Sequence, residues 1–144
     1  MTNSDKVTVP AETGRNGPER PMNATSTDTP FHGSGHDHAA CIEEAMRDAV
    51  HRLSALGHRR IGYINGGMKY AYAPLREEGF RAGMQEAGLA ISEDLIARDA
   101  VTIADGAKAA GILLDHRNPP TAIVCAVDFA ALGAYQAAAE RDLC

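Results

Sequence analysis

Apolar positions fall in two regimes along this 144-residue chain. Up to about residue 40 they are sparse, and Thr, Ser, Asn, Pro and Gly are interleaved with charge. Such a stretch cannot bury enough apolar surface to offset the entropy of ordering its backbone, so residues 1–40 are expected to form a disordered tail. Beyond it, Ala45, Met46, Ala49, Val50, Leu53 and Leu56 recur at helical spacing, and Gly57 stands where a C-terminal cap belongs. Ile61-Gly62-Tyr63-Ile64, closed by Asn65-Gly66-Gly67, reads as a short buried strand and a turn. A helix follows from about Pro74 to Ala87, with Phe80, Met84 and Ala87 sharing a face and Gly88 ending it. Leu95 to Val101 is a less regular strand candidate. Asp105 is expected to cap a third helix with Ala107, Ala110, Leu113 and Leu114 inward. Asn118-Pro119-Pro120 breaks the chain before the apolar strand Thr121 to Ala126. Asp128 then opens a last helix whose inward residues are expected to include Leu132, Tyr135 and Ala139.

One helix followed by three strand-helix pairs implies α/β architecture: a parallel sheet with helical crossovers, half of a doubly wound domain, spanning residues 41–144. In such sheets ligands bind beyond the carboxyl ends of the strands, where strand order reverses. With strand 61–64 central, that point lies between it and strand 121–126. The loop from Asn65 to Ala73 and the segment Ala126-Val127-Asp128 converge there. Arg76 sits one turn into the helix after the first loop and can point back over the crevice. An Arg donor fork and an Asp acceptor facing one cleft suit a polyhydroxylated ligand, since each can hold two hydroxyls. Blander roles stand beside these. Asp128 can act only as a helix N-cap, and Arg76 only as a surface partner of Glu77 or nearby acids.

Composition narrows the field. The chain is 44% apolar and 5% aromatic, without Trp, so its core must be aliphatic. Fourteen basic against 19 acidic residues give a net charge of −5, and the basic residues are scattered, which argues against a chain that holds nucleic acid by itself. The odd set Cys41, Cys125 and Cys144 gives neither a disulfide framework nor a zinc site. No signal peptide or membrane span is evident, so a cytoplasmic location and no membrane partner are expected. His32, His36, Asp37 and His38 could ligate a metal, but they lie in the Gly-rich tail and read as solvated. Glu43-Glu44 and Glu77-Glu78 read as solvated helix faces. Phosphate loops, nucleophile elbows and metalloprotease spacings are missing, so no enzyme, catalytic residue, metal or cofactor is expected. An α/β enzyme using Asp128 as base or nucleophile is the catalytic alternative, but no partner base is apparent.

Three stretches resemble one family. Leu56-Gly57-His58-Arg59-Arg60-Ile61 is similar to the L-G-H-x-x-I motif of LacI/GalR (lactose-repressor-type) transcription regulators. Arg76-Glu77-Glu78-Gly79-Phe80 resembles their R-x-x-G-F segment. Pro120-Thr121-Ala122 through Asp128, with Ala131-Leu132-Gly133, resembles their P-T-A-hydrophobic-N-D-x-x-A-L-G segment. Order and spacing agree from about Glu43 to Leu143. The resemblance implies a periplasmic-binding-protein-like effector core in which Arg76 and Asp128 bind a sugar or similar small molecule. It makes Tyr70 and Tyr72 further pocket residues, and the last helix a homodimer surface. Two departures stand out: Val127 replaces the usual Asn before the acidic residue, and Cys41-Ile42 replaces a polar pair. No helix-turn-helix precedes the core, so a truncated effector-binding module without specific DNA binding is expected. A gene remnant or miscalled reading frame of such a regulator is the alternative.

Overall fold

The structure, a computed structural model, describes residues 7–10 and 35–143. Strand β1 is Val7–Pro10, helix α1 Gly35–Ala55, strand β2 Ile61–Ile64 and helix α2 Tyr72–Glu86. A 3-10 turn, Glu93–Leu95, leads into β3, Ile96–Ala97. Helix α3, Ile103–Leu114, strand β4, Ala122–Cys125, and helix α4, Asp128–Ala139, complete the order. The strands form one sheet in the order β1-β4-β2-β3, and every neighbouring pair is parallel. The α/β reading is therefore what the chain adopts.

Side chains alternate across a strand, and here each side of the alternation has its own helical layer. Tyr63, Ala122 and Val124 join Met46, Val50, Leu53, Phe80 and Met84 on the face covered by α1 and α2. Ile64, Ile123 and Cys125 join Ala110, Leu113, Ala130 and Ala134 on the face covered by α3 and α4. All four residues of β2 and all four of β4 are buried, as parallel strands sandwiched between helices require. Burial pushes the Cys125 thiol up to about 12, which leaves it an inert small hydrophobe.

Glycines set how closely the helices approach. A Cβ on Gly106 of α3 would stand 2.7 Å from Ala130 Cα, and one on Gly133 of α4 would overlap the backbone of Ile103 and Ala107. Gly79 of α2 lies in the same way against the backbone of Glu43 on α1.

Helix α1 starts at Gly35, a few residues before the boundary expected near residue 40, and residues 7–10 pair as β1. Several side-chain expectations are corrected. Ala45 and Leu56 are exposed rather than part of the buried stripe. Asp105 is not the cap of α3. Thr102 is, its hydroxyl accepting the Asp105 N–H at 3.1 Å while the Asp105 carboxylate accepts the Thr102 N–H at 2.9 Å. On α4, Leu132, Tyr135 and Ala139 face outward, and Ala130, Ala131, Gly133, Ala134 and Ala137 face in. The approach to α3 is too close for large side chains, so the small ones take the core. His36 and His38 fall in the first turn of α1, while His32 lies outside the described residues.

Candidate functional site

Strand β2 ends at Ile64, and the next residue, Asn65, is fully buried. A buried amide must find partners, and Asn65 makes four hydrogen bonds to backbone groups besides a longer one from its NH₂ to the Met68 sulfur at 3.6 Å. Its side-chain carbonyl accepts the Gly66 N–H at 2.9 Å, and its NH₂ donates to the Ala73 carbonyl at 2.8 Å. Its backbone N–H donates to Ala97 at 2.8 Å, and its backbone carbonyl accepts from Ala100 at 3.1 Å. One residue thus ties the end of β2 to the first turn of α2 and to the segment leaving β3. Asp99 adds a second tie. It sits in the left-handed region (φ 62°), its carboxylate accepts the Met68 N–H at 2.8 Å, and its own N–H donates to Gly66 at 3.0 Å.

These ties frame a pocket of about 460 Å³ beyond the carboxyl ends of β2, β3 and β4. That size suits a small ligand. Gly66 and Gly67 form its floor, and a side chain on Gly67 would press within 3.0 Å of the Tyr70 ring. Tyr70, Tyr72 and Arg76 line one side, the first two about half exposed. Val127, Asp128 and Phe129, which follow β4, line it as well, together with Ala100 and Val101. The four residues singled out in the sequence therefore meet at one pocket, on the two sides of the β2–β4 boundary. There α2 and β3 lie to one side of β2 and α4 follows β4, which is where strand order reverses.

Asp128 is not an N-cap, contrary to the bland reading. Val127 holds that position in extended conformation (φ −139°, ψ 150°) and offers no side-chain bond, while Asp128 is the first residue of α4. The carboxylate at the rim is thus not consumed by capping, and the helix dipole favours a negative charge there.

Behind Arg76 lies a group misread as solvent-facing. Glu77 is 9% exposed. Its carboxylate receives Arg98 Nε at 2.8 Å and Nη2 at 2.5 Å, and Arg81 Nη2 at 2.9 Å. Arg81 reaches on to Glu93 at 2.6 Å. Hydrogen bonds from Arg98, then Arg81, hold the Glu77 carboxyl below the usual glutamate range against the opposing effect of burial. This knot joins α2 to the segment 93–98, which leads into the pocket-lining Ala100 and Val101. Neither Asn65 nor Glu77 was flagged by sequence. The only available hint for Asn65 was its place at the end of a fully apolar strand. For Glu77, the hint was its helical spacing from Phe80 and Met84. Phe129, next to Asp128, also lines the pocket without a distinguishing sequence signal.

The same architecture exists elsewhere. Residues 50–144 match the family model described as periplasmic binding protein-like domain. The HTH-type transcriptional repressor CytR of Escherichia coli (strain K12) is 38% identical over 99 residues, covering 69% of this chain and 29% of CytR. The HTH-type transcriptional repressor PurR of Haemophilus influenzae (strain PittEE) is 37% identical over 95 residues, covering 66% of this chain and 28% of PurR. Among solved structures, a sugar-binding transcriptional regulator of the LacI family from Escherichia coli, complexed with phosphate, superposes with a TM-score of 0.67. It has 30% identity and covers 72% of this chain and 37% of that one. The fold is thus that of one periplasmic-binding-protein-like half-domain. The chain belongs to the periplasmic binding protein-like domain family, and the relatives and solved structures it resembles include transcriptional repressors and regulators of the LacI family. It spans under a third of the length of these curated relatives. Among the described residues no helix is long and apolar enough to cross a membrane.

Proposed function

We propose that this chain is the small-molecule-binding module of a LacI-type transcription regulator, and that Arg76 and Asp128 hold a sugar or similar polyhydroxylated effector. The observation that carries this reading is the meeting of Arg76, Asp128, Tyr70 and Tyr72 at one pocket. A cationic fork and a carboxylate lining one pocket can each take a pair of ligand hydroxyls, and the tyrosine rings offer flat apolar surface to the ligand's carbon skeleton. The module acts by binding and does no chemistry. In a regulator, such binding shifts a two-state equilibrium through its differential affinity for the states.

A homodimer through α4 belongs to the same proposal. Phe129, Leu132 and Tyr135, each about half exposed, give that helix an outward apolar face that an isolated domain has no reason to display. Leu132→Glu is expected to shift the chain towards monomer in analytical ultracentrifugation.

Binding is tested by a thermal-shift screen of common pentoses, hexoses and nucleobases. At least one compound should raise the melting temperature, with the shift lost in Arg76→Ala and in Asp128→Asn. A binder whose shift survives both substitutions removes the pair from the site.

A further inference from the structure

We infer that the outer edge of β4 is a strand-accepting surface, and that the chain's own residues 7–10 are its occupant. β4 is buried on both faces along all four residues, so a bare outer edge would present unpaired N–H and C=O groups in an apolar setting. In a doubly wound sheet growing outward from β2 through β4, the next position belongs to a strand delivered by the helix after β4 through a right-handed crossover. Here that position is held by β1, which comes from the far side of α1 in sequence. Val7, Thr8, Val9 and Pro10 lie in parallel register against Ala122, Ile123, Val124 and Cys125. The pairing is therefore a strand added to an edge, the mode by which sheets recruit extended peptides. Attachment to the same chain favours it through effective concentration.

The segment has the composition for the task. Val7-Thr8-Val9 is a run of β-branched residues, and Pro10 is tolerated because an edge strand has backbone groups that face no partner. Along a strand, successive N–H groups point to opposite sides. Pro10 has none to donate, so the position one residue earlier, Val9, is the one expected to bond β4, and Thr8 is expected to point outward.

This phase gives the test, made on the full chain and independent of any ligand. Val9→Pro and Thr8→Pro are compared with the parent by residue-resolved hydrogen exchange. In Ala122–Cys125, the alternate amides that face away from β2 should exchange at least tenfold faster in Val9→Pro and be unchanged in Thr8→Pro. The amides facing β2 should stay protected in both, which shows that the domain remains folded. Oligomerisation of Val9→Pro beyond the parent would add support, because a bared edge recruits a second copy. The inference is overturned if the outward amides already exchange freely in the parent, or if the two variants behave alike.

Discussion

Removing the Glu77 carboxylate tests whether α2 is tied to the segment that leads into the pocket-lining Ala100 and Val101. In Glu77→Ala, Arg98 loses bonds at 2.8 and 2.5 Å and keeps, among the described residues, Glu93 at 3.9 Å, while Arg81 keeps Glu93 at 2.6 Å. Stripping one partner from a fully buried ion pair costs about 3–5 kcal/mol, and an exposed pair is worth no more than about 1 kcal/mol. The Glu77 side chain is 11% exposed and that of Arg98 38%, so the stranded guanidinium can turn towards water, and about 2 kcal/mol is the expected loss. For a domain of this size that lowers the melting temperature by roughly 10 °C. Acidity supplies a second readout. A carboxyl whose folded pKa is depressed contributes stability that is complete above its ordinary range, 4.5 for glutamate, and is lost as pH falls through the lowered folded value. Thermal melts at pH 7 should therefore separate parent and variant, and the gap should close as pH drops below about 4. A gap under about 0.5 kcal/mol at pH 7, or one that persists undiminished in acid, refutes the argument.

Other substitutions probe the scaffold. Gly133→Ala drives a Cβ into the α3 backbone and should cost about 3 kcal/mol. Gly111→Ala meets only the flexible Arg141 guanidinium and should stay within about 1 kcal/mol by denaturant titration. Tyr63→Phe should be neutral or stabilising by up to about 1 kcal/mol in urea melts, because among the described residues the buried hydroxyl has no hydrogen-bond partner, while the ring stacks on Phe80 at 4.6 Å. Asn65→Ala should cost about 2 kcal/mol and weaken any ligand-induced thermal shift, since the first turn of α2 loses its tie to β2.

The hydrophobic pattern made the architecture legible because the strands are short apolar runs between clear breakers, and parallel strands buried on both faces read that way. Arg76 and Asp128 could be placed because a parallel sheet leaves little choice about where loops converge. The misreadings share a physical origin. Leu132 and Tyr135 looked like core because size normally tracks burial, yet α4 packs through alanines and a glycine. Asp105 looked like a cap because it precedes an apolar run, but Thr102 three residues earlier closes the reciprocal box. Glu77 reads as solvated because Arg98, the partner that closes over it, comes from another element and only tertiary packing brings it there, whereas Arg81 lies one turn along the same helix. Likewise, nothing in Val7–Pro10 announces that β4 lies beside it, since pairing across more than a hundred residues leaves no local trace.

The most direct measurement of the binding claim is an amide chemical-shift map of the full chain, titrated with whichever sugar or nucleobase gives the largest thermal shift. Perturbations centred on Gly66, Gly67, Val127 and Asp128, and abolished by Arg76→Ala, are the expected result. Perturbations centred on α1 or on the outward face of α3, with this loop pair silent, would contradict it.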